Sequence, residues 1–136
     1  MPRRAIFFGS FPLLRGGVPT IRRINEAGWQ AVVVTNESEH DDDLRTALLD
    51  EGVRLDGVYH CPHDGNAGCR CHKPGIALLE RARDEMGIEL TSSWFIGDGP
   101  TDLETAHAAG IPGILVGGAQ AETLEDAVAR ALDGEA

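Results

Sequence analysis

The 136-residue sequence predicts an α/β fold of three layers, in which a parallel sheet is covered by helices on both faces. Short apolar segments rich in β-branched or aromatic residues alternate along the chain with segments whose apolar residues recur at helical spacing. The segment AVVV at 31–34 is apolar throughout, which is typical of a parallel strand buried on both faces. In such a sheet, ligands are expected at the carboxyl ends of the strands.

Each predicted strand is a short apolar run, and the five runs are at 4–8, 31–34, 58–59, 94–96 and 113–116. Helices are predicted where apolar residues share one face and where a glycine or an acidic first turn marks an end. The predicted helices are at 18–27, 41–51, 75–86, 101–109 and 122–132. The chain shows no repeat, low-complexity segment or linker, so a single domain over 1–136 is expected.

Composition and charge exclude several classes of function. The net charge of −10 argues against a nucleic-acid partner, because binding to phosphate backbones needs a basic face. No apolar run approaches the roughly 18 residues that a membrane span requires. The basic start MPRR is followed by too short an apolar stretch for a signal peptide. We therefore expect a cytoplasmic protein with no membrane partner.

The charges are unevenly distributed along the chain. Five arginines and no acidic residue precede Glu26, so all 22 acidic side chains follow that point or stand at it. Of the 12 lysine and arginine residues, all are arginine except Lys73. Both features bear on the candidate site.

All three cysteines fall within one loop, which also contains a histidine. Cys61, His63, Cys69 and Cys71 form a Cys₃His set of the kind that binds zinc tetrahedrally. An odd number of cysteines fits a metal site better than a disulfide framework. The zinc loop at 61–73 is expected to be structural, because four protein ligands leave no open position for water. Three unrelated thiols, or a surface disulfide with one spare thiol, are the alternatives, and His60 or His72 could replace His63.

Three further segments stand where strands are predicted to end or helices to begin. Thr35 and Asn36 follow AVVV, and Lys73 precedes a predicted helix. The segment Gly-Asp-Gly, whose aspartate is Asp98, follows WFI, and Asp102 stands four residues after Asp98. Taken singly, the threonine and the aspartates could be capping or turn residues, and the lysine could be a solvated surface charge. Their joint pattern favours a phosphate site, because hydroxyl, ammonium and carboxylate groups position and neutralise a phosphoryl group.

The sequence contains, in order, VVVTN, CPH, CxCxKP, and GD(x)₃D with AAGI after it. Together these segments resemble the motifs of the haloacid dehalogenase (HAD) superfamily of phosphotransferases. The zinc loop placed directly before the lysine is similar to the branch of heptose bisphosphate and histidinol phosphatases. This resemblance implies a Rossmann-like domain without a separate cap domain, and an activity on sugar phosphates in carbohydrate metabolism. It implies that Thr35, Asn36 and Lys73 bind phosphate. It also implies that Asp98, supported by Asp102, binds Mg²⁺.

The first motif departs from the family pattern. The family has two aspartates at the end of strand one, of which the first is the nucleophile and the second the general acid/base. These positions are Gly9 and Phe11, and no acidic residue precedes Glu26 to replace them. Neither glycine nor phenylalanine can attack phosphorus or transfer a proton. With these carboxylates missing, Mg²⁺ is expected to bind weakly.

We therefore expect a catalytically impaired pseudophosphatase that binds a phosphorylated small molecule or a protein partner. One alternative is an active Mg²⁺-dependent phosphomonoesterase that uses a relocated carboxylate, for instance from the acidic segment 37–43. The other alternative is a zinc-stabilised interaction module without catalysis.

Overall fold

The computed structural model describes residues 3–9, 17–35, 46, 48–60, 75–117 and 123–134. Within these residues, five parallel strands form one sheet in the order β3-β2-β1-β4-β5. The strands are Ala5–Phe8 (β1), Gln30–Thr35 (β2), Gly57–His60 (β3), Trp94–Gly97 (β4) and Gly113–Leu115 (β5). The predicted parallel α/β sheet is therefore confirmed.

Four α-helices with defined ends connect or flank these strands in the described part of the chain. They are Val18–Glu26 (α1), Ala77–Met86 (α2), Pro100–Ala109 (α3) and Leu124–Asp133 (α4). Proline lies in the first turn of α1 and α3, where its missing N–H costs no hydrogen bond. Of the helix predicted at 41–51, residues 46 and 48–50 are helical and residue 51 lies in a turn. Its other residues are outside those that the structure describes.

The sheet separates two apolar clusters, so that successive residues of each central strand contribute to opposite faces. In β1, Ile6 and Phe8 belong to one cluster, whereas Ala5 and Phe7 belong to the other. Helices α1 and α4 pack on the Ile6 face, and α2 and α3 pack on the Phe7 face. The continuous apolar character of the strands follows directly from this burial on both sides.

The registers align the carboxyl ends of the three central strands at one edge of the sheet. Phe8 pairs with Val33 of β2 and with Ile96 of β4. The residues that follow, Gly9 after β1 and Gly97 at the end of β4, are therefore neighbours. None of the helices in the described part of the chain combines the length and apolar character that a bilayer-spanning segment requires.

Candidate functional site

The candidate site lies at the carboxyl edge of the sheet, between β1 and β4. Along the chain, β1 is followed by its neighbour β2 on one side, whereas β4 and β5 extend the sheet on the other side. The strand order therefore reverses between β1 and β4. Open parallel sheets bind ligands in the crevice at such a point, because the connections diverge to opposite faces there.

Gly9, at the predicted position of the nucleophile, continues the ladder between β1 and β4. Its backbone N–H donates to the carbonyl oxygen of Ile96, with a nitrogen–oxygen distance of 2.9 Å. A Cβ atom built on Gly9 would lie 2.5 Å from Oδ1 of Asp102 and 2.6 Å from its Cγ. The Asp102 carboxyl group thus occupies the volume in which a side chain at position 9 would begin.

Asp102 approaches this position from the first turn of α3 and is buried, with 5% of the residue exposed. The same carboxylate lies against Gly97, where a Cβ atom would also collide with Asp102. Its Oδ2 accepts a hydrogen bond from the backbone N–H of Asp98, over 3.3 Å. The two glycines that end β1 and β4 therefore leave the space that this side chain fills.

The two acidic residues of the last motif lie in different surroundings. The Asp98 residue is exposed, whereas Asp102 is buried between the strand ends. Carboxylate oxygens are suitable ligands for Mg²⁺. Nowhere in the described part of the chain do three or more His, Cys, Asp or Glu side chains form a group that could hold a metal ion. The described residues would therefore supply few ligands to a cation here.

Thr35 is the last residue of β2 and is buried, with 1% of the residue exposed. It pairs with His60 at the end of β3, so it lies at the same edge of the sheet as Gly9. The structure thus brings Thr35, Gly9, Asp98 and Asp102 to the carboxyl ends of adjacent strands, where the sequence predicts them. The part that Thr35 plays in binding phosphate stays a prediction.

The remaining predicted site residues are outside those that the structure describes. They are the acid/base position Phe11, the phosphate-binding candidates Asn36 and Lys73, and the zinc candidates Cys61, His63, Cys69 and Cys71. The acidic segment 37–43, which could supply a relocated carboxylate, is outside the described residues too.

Sequence reasoning did not anticipate a second polar site, at the edge strand β3. A cavity of about 360 Å³ lies between β3 and α2, lined by Gly57, Val58, Tyr59, His60, Arg81 and Glu85. None of its lining residues is Gly9, Thr35, Asp98 or Asp102. The cavity is therefore separate from the crevice between β1 and β4.

Three polar side chains of this cavity contact one another. Tyr59 donates its hydroxyl hydrogen to Glu85 Oε1 over 3.0 Å, and the Arg81 guanidinium contacts both the Glu85 carboxylate and the Tyr59 ring. Burial raises the pKa of Tyr59, the hydrogen bond to Glu85 and its charge raise it further, and Arg81 opposes the rise. The spacing of Arg81 and Glu85 is visible in the sequence, but their contact with Tyr59 requires the fold.

Comparison with known proteins places this arrangement in a family. The Hydrolase_like profile, described as HAD-hydrolase-like, matches residues 70–133. A D-glycero-beta-D-manno-heptose-1,7-bisphosphate 7-phosphatase of Pseudomonas putida is 32% identical over 127 residues, which cover 83% of this chain and 73% of the relative. The enzyme of the same name from Yersinia pestis is 33% identical over 122 residues, covering 75% of this chain and 65% of the relative. The chain thus spans about two thirds to three quarters of these relatives.

Solved structures show the same fold at lower sequence identity. A D,D-heptose 1,7-bisphosphate phosphatase from B. bronchiseptica, complexed with magnesium and phosphate, superposes with a TM-score of 0.79 and 21% identity. That comparison covers 97% of this chain and 99% of the other. A HAD-like protein from Mesorhizobium loti gives a TM-score of 0.80 and 22% identity over 98% of this chain and 86% of the other. The chain therefore belongs to the HAD-like phosphatase family, which also includes the D-glycero-beta-D-manno-heptose-1,7-bisphosphate 7-phosphatases.

Proposed function

We propose that this chain is a pseudophosphatase, which binds a phosphorylated sugar-type ligand in the crevice between β1 and β4 without efficient hydrolysis. The observation that carries the proposal is the environment of Gly9. The position of the family nucleophile has no side chain, and Asp102 fills the adjacent volume. An aspartate at position 9 could not be accommodated there unless Asp102 moved.

Loss of the nucleophile removes the covalent step, but it need not remove ligand binding. In phosphoryl transfer, the protein contributes mainly positioning and electrostatic stabilisation. Enzymes whose nucleophile has been removed keep a small residue of catalysis from those contributions. Phe11, at the acid/base position, cannot supply the proton transfer that would support a water attack.

The phosphate-binding groups in this proposal come from the end of β2 and from the segment that precedes α2. Thr35 would contribute a hydroxyl and Asn36 a backbone N–H to phosphate oxygens, and Lys73 would contribute a positive charge. Support for the assignment comes from the position of Thr35 at the same sheet edge as Gly9 and Asp98. The relatives' names, heptose bisphosphate phosphatases, favour a phosphorylated sugar as the ligand.

Two metal ions belong to the proposal. Mg²⁺, when bound, would neutralise phosphoryl charge, and Asp98 with Asp102 would be its carboxylate ligands. Because the described residues contain no group of three or more His, Cys, Asp or Glu side chains that could hold a metal ion, we expect weak binding. Zn²⁺ would be a structural ion in the loop 61–73 of a single domain, held by Cys61, His63, Cys69 and Cys71. Elemental analysis of purified protein should then find one zinc per chain, and Cys71→Ser should lose it.

A phosphatase assay tests the proposal. Heptose bisphosphate, histidinol phosphate and a chromogenic phosphomonoester would be offered with Mg²⁺, and phosphate release would be measured. We expect turnover far below the rate of about 1 s⁻¹ that is ordinary for a slow enzyme. Turnover near that rate, abolished by Asp98→Asn and retained by the control Glu104→Gln, would show that the chain is an active phosphatase.

An active phosphomonoesterase with a relocated carboxylate is the second candidate function. The contact between Asp102 and Gly9 favours it, because a carboxylate is present at the end of β1 although it comes from α3. If this carboxylate were the nucleophile, measurable turnover would disappear in Asp102→Asn. A wild-type protein without turnover excludes this function.

A further inference from the structure

The cavity between β3 and α2 lies apart from the proposed phosphate site and has a polar lining of its own. Its volume of about 360 Å³ is at the lower end of the range for pockets that bind small molecules, roughly 300–1,000 Å³. β3 is the end strand of the described sheet, and the side chains of Arg81 and Glu85 are each more than half exposed. A small molecule can therefore reach these charged groups from solvent.

The Glu85 carboxylate is held in place from two sides. Its Oε1 accepts from the Tyr59 hydroxyl over 3.0 Å, and its Oε2 accepts from Nε of Arg81 over 3.3 Å. The tyrosine is itself buried, and Gly57 leaves room for its ring, since a Cβ atom at Gly57 would lie 3.2 Å from Tyr59 Cε2. Burial, followed by the hydrogen bond to Glu85, raises the pKa of Tyr59, so its hydroxyl group donates at neutral pH. These contacts preorganise the carboxylate for a ligand.

Arg81 and Glu85 keep hydrogen-bonding capacity that their contact does not use. The guanidinium group donates to Glu85 through Nε, and its two terminal nitrogens donate to no residue that the structure describes. Each carboxylate oxygen of Glu85 accepts one hydrogen bond and can accept another. The cavity therefore offers donors for a carboxylate beside acceptors for an ammonium group.

The short distance between these opposite charges limits the ligands that could satisfy both. Nε of Arg81 and Oε2 of Glu85 are 3.3 Å apart. An α-amino acid carries its ammonium and carboxylate groups on one carbon atom, so its charges are similarly close. Such a zwitterion can lie head to tail against the pair. A simple anion would face the Glu85 charge and a simple cation the Arg81 charge, and each would be repelled.

We propose that the cavity between β3 and α2 is a binding site for a small zwitterion of the α-amino acid class. Arg81 binds the carboxylate of the ligand, and Glu85 binds its ammonium group. This site goes beyond the proposed function and does not depend on it, because none of the residues proposed to bind phosphate lines the cavity.

Titration with L-alanine at neutral pH tests the proposal, and propionate and ethylamine are matched probes that each carry one of its two charges. Tyr59 is the one tyrosine in the sequence, so isotope-labelled tyrosine gives a single nuclear magnetic resonance reporter in the cavity. Arg81→Gln and Glu85→Gln each remove one charge from the site. Arg83→Gln and Asp84→Asn are the controls, because these residues form a neighbouring exposed ion pair on α2 that does not line the cavity.

We expect L-alanine to shift the Tyr59 signal saturably and to bind at least about tenfold more tightly than propionate or ethylamine, because its second contact forms within the same complex. Either cavity variant should lose that advantage, and both controls should bind as the wild type does. The inference is overturned by the absence of a saturable shift, by equal affinities for the three probes, or by unchanged binding in both cavity variants. An equal loss in the controls overturns it too.

None of these outcomes bears on phosphate binding, so the proposed function stands or fails by its own assay. Circular dichroism establishes that each variant is folded. The comparison of the three probes on the wild-type protein decides the question if a cavity variant is not.

Discussion

Gly9 shows how the meaning of one residue depends on a partner far away in the sequence. From the sequence, Gly9 is predicted to stand where the family has a carboxylate. In the structure, the Asp102 carboxyl group lies where that side chain would begin, so the volume is filled from α3. An aspartate placed at position 9 would need the Asp102 side chain to move.

A double-mutant cycle tests this packing. Gly9→Ala should lower the free energy of unfolding by about 1–3 kcal/mol, because the new methyl group collides with the carboxyl atoms of Asp102. Adding Asp102→Ala removes those atoms, so the cost of Gly9→Ala should largely disappear in that background. Urea unfolding of the four proteins measures the coupling.

Gly97 provides the matched comparison for that cycle. At Gly97, the atom nearest to a new methyl group is Cβ of Asp102, which alanine retains. Asp102→Ala should therefore leave the cost of Gly97→Ala in place. Equal relief at both glycines would mean that the carboxyl group does not lie beside Gly9 as described.

Tyr59 gives a second prediction for a single residue, since it is the one tyrosine in the sequence. Burial, followed by the hydrogen bond to Glu85, raises its pKa, so tyrosinate absorbance should titrate above the ordinary midpoint of about 10. The folded protein then binds this proton more tightly than the unfolded chain. Stability is therefore expected to fall as the pH rises through that range.

Variants of the two neighbours of Tyr59 separate the causes of this shift. Glu85→Gln should lower the midpoint only in part, because burial is the larger cause. Arg81→Ala should raise the midpoint, because the guanidinium charge favours tyrosinate. A wild-type midpoint at or below the ordinary value would contradict the described cavity.

The regular elements could be predicted from the sequence because their signals are local. The apolar runs at 4–8 and 94–96 became β1 and β4 with ends shifted by one residue, and helix 101–109 began one residue earlier, at Pro100. The strand at 58–59 is longer, Gly57–His60, because its backbone pairs with β2 and pairing does not depend on apolar side chains. Contacts between elements, such as Asp102 with Gly9, have no local signal.

Ser93 is an example of such a contact between elements that the sequence does not reveal. It stands between the 3₁₀ helix Leu90–Ser92 and β4, and it is fully buried. Its Oγ accepts from the backbone N–H of Ala5 over 2.9 Å and donates to the carbonyl oxygen of Glu89 over 2.8 Å. One hydroxyl thus joins the start of β1 to the turn that precedes β4.

Replacing this hydroxyl should destabilise the sheet. Ser93→Ala leaves the buried N–H of Ala5 without its acceptor, which should cost about 1–3 kcal/mol of unfolding free energy. Ser92→Ala, a change at the partly exposed neighbouring residue, should cost clearly less. Thermal and urea unfolding measure both. A cost at Ser93 no larger than at Ser92 would show that this hydrogen bond contributes little.

Over the whole molecule, the acid-free start of the chain has two consequences. It leaves Gly9 without an acidic residue close to it in the sequence. Two arginines of this segment contact residues later in the chain. The guanidinium carbon of Arg4 lies 4.4 Å from the centre of the Trp29 ring, and the Arg22 guanidinium donates a hydrogen bond to the carbonyl oxygen of Glu51. These contacts join the first segment of the chain to the rest of the fold.

The two apolar clusters share the same strands, so we expect the chain to unfold as one cooperative unit. Both tryptophans, Trp29 and Trp94, report on the Ile6 face, whereas Leu79 is buried on the Phe7 face.

Leu79→Ala should lower the free energy of unfolding by about 2–5 kcal/mol. If the sheet couples the faces, tryptophan fluorescence and far-ultraviolet circular dichroism should show the same lowered midpoint in urea. The control Leu49→Ala, at an exposed side chain, should change neither signal appreciably. An unchanged tryptophan transition in Leu79→Ala would mean that the two faces unfold separately and that the chain is not a single cooperative domain.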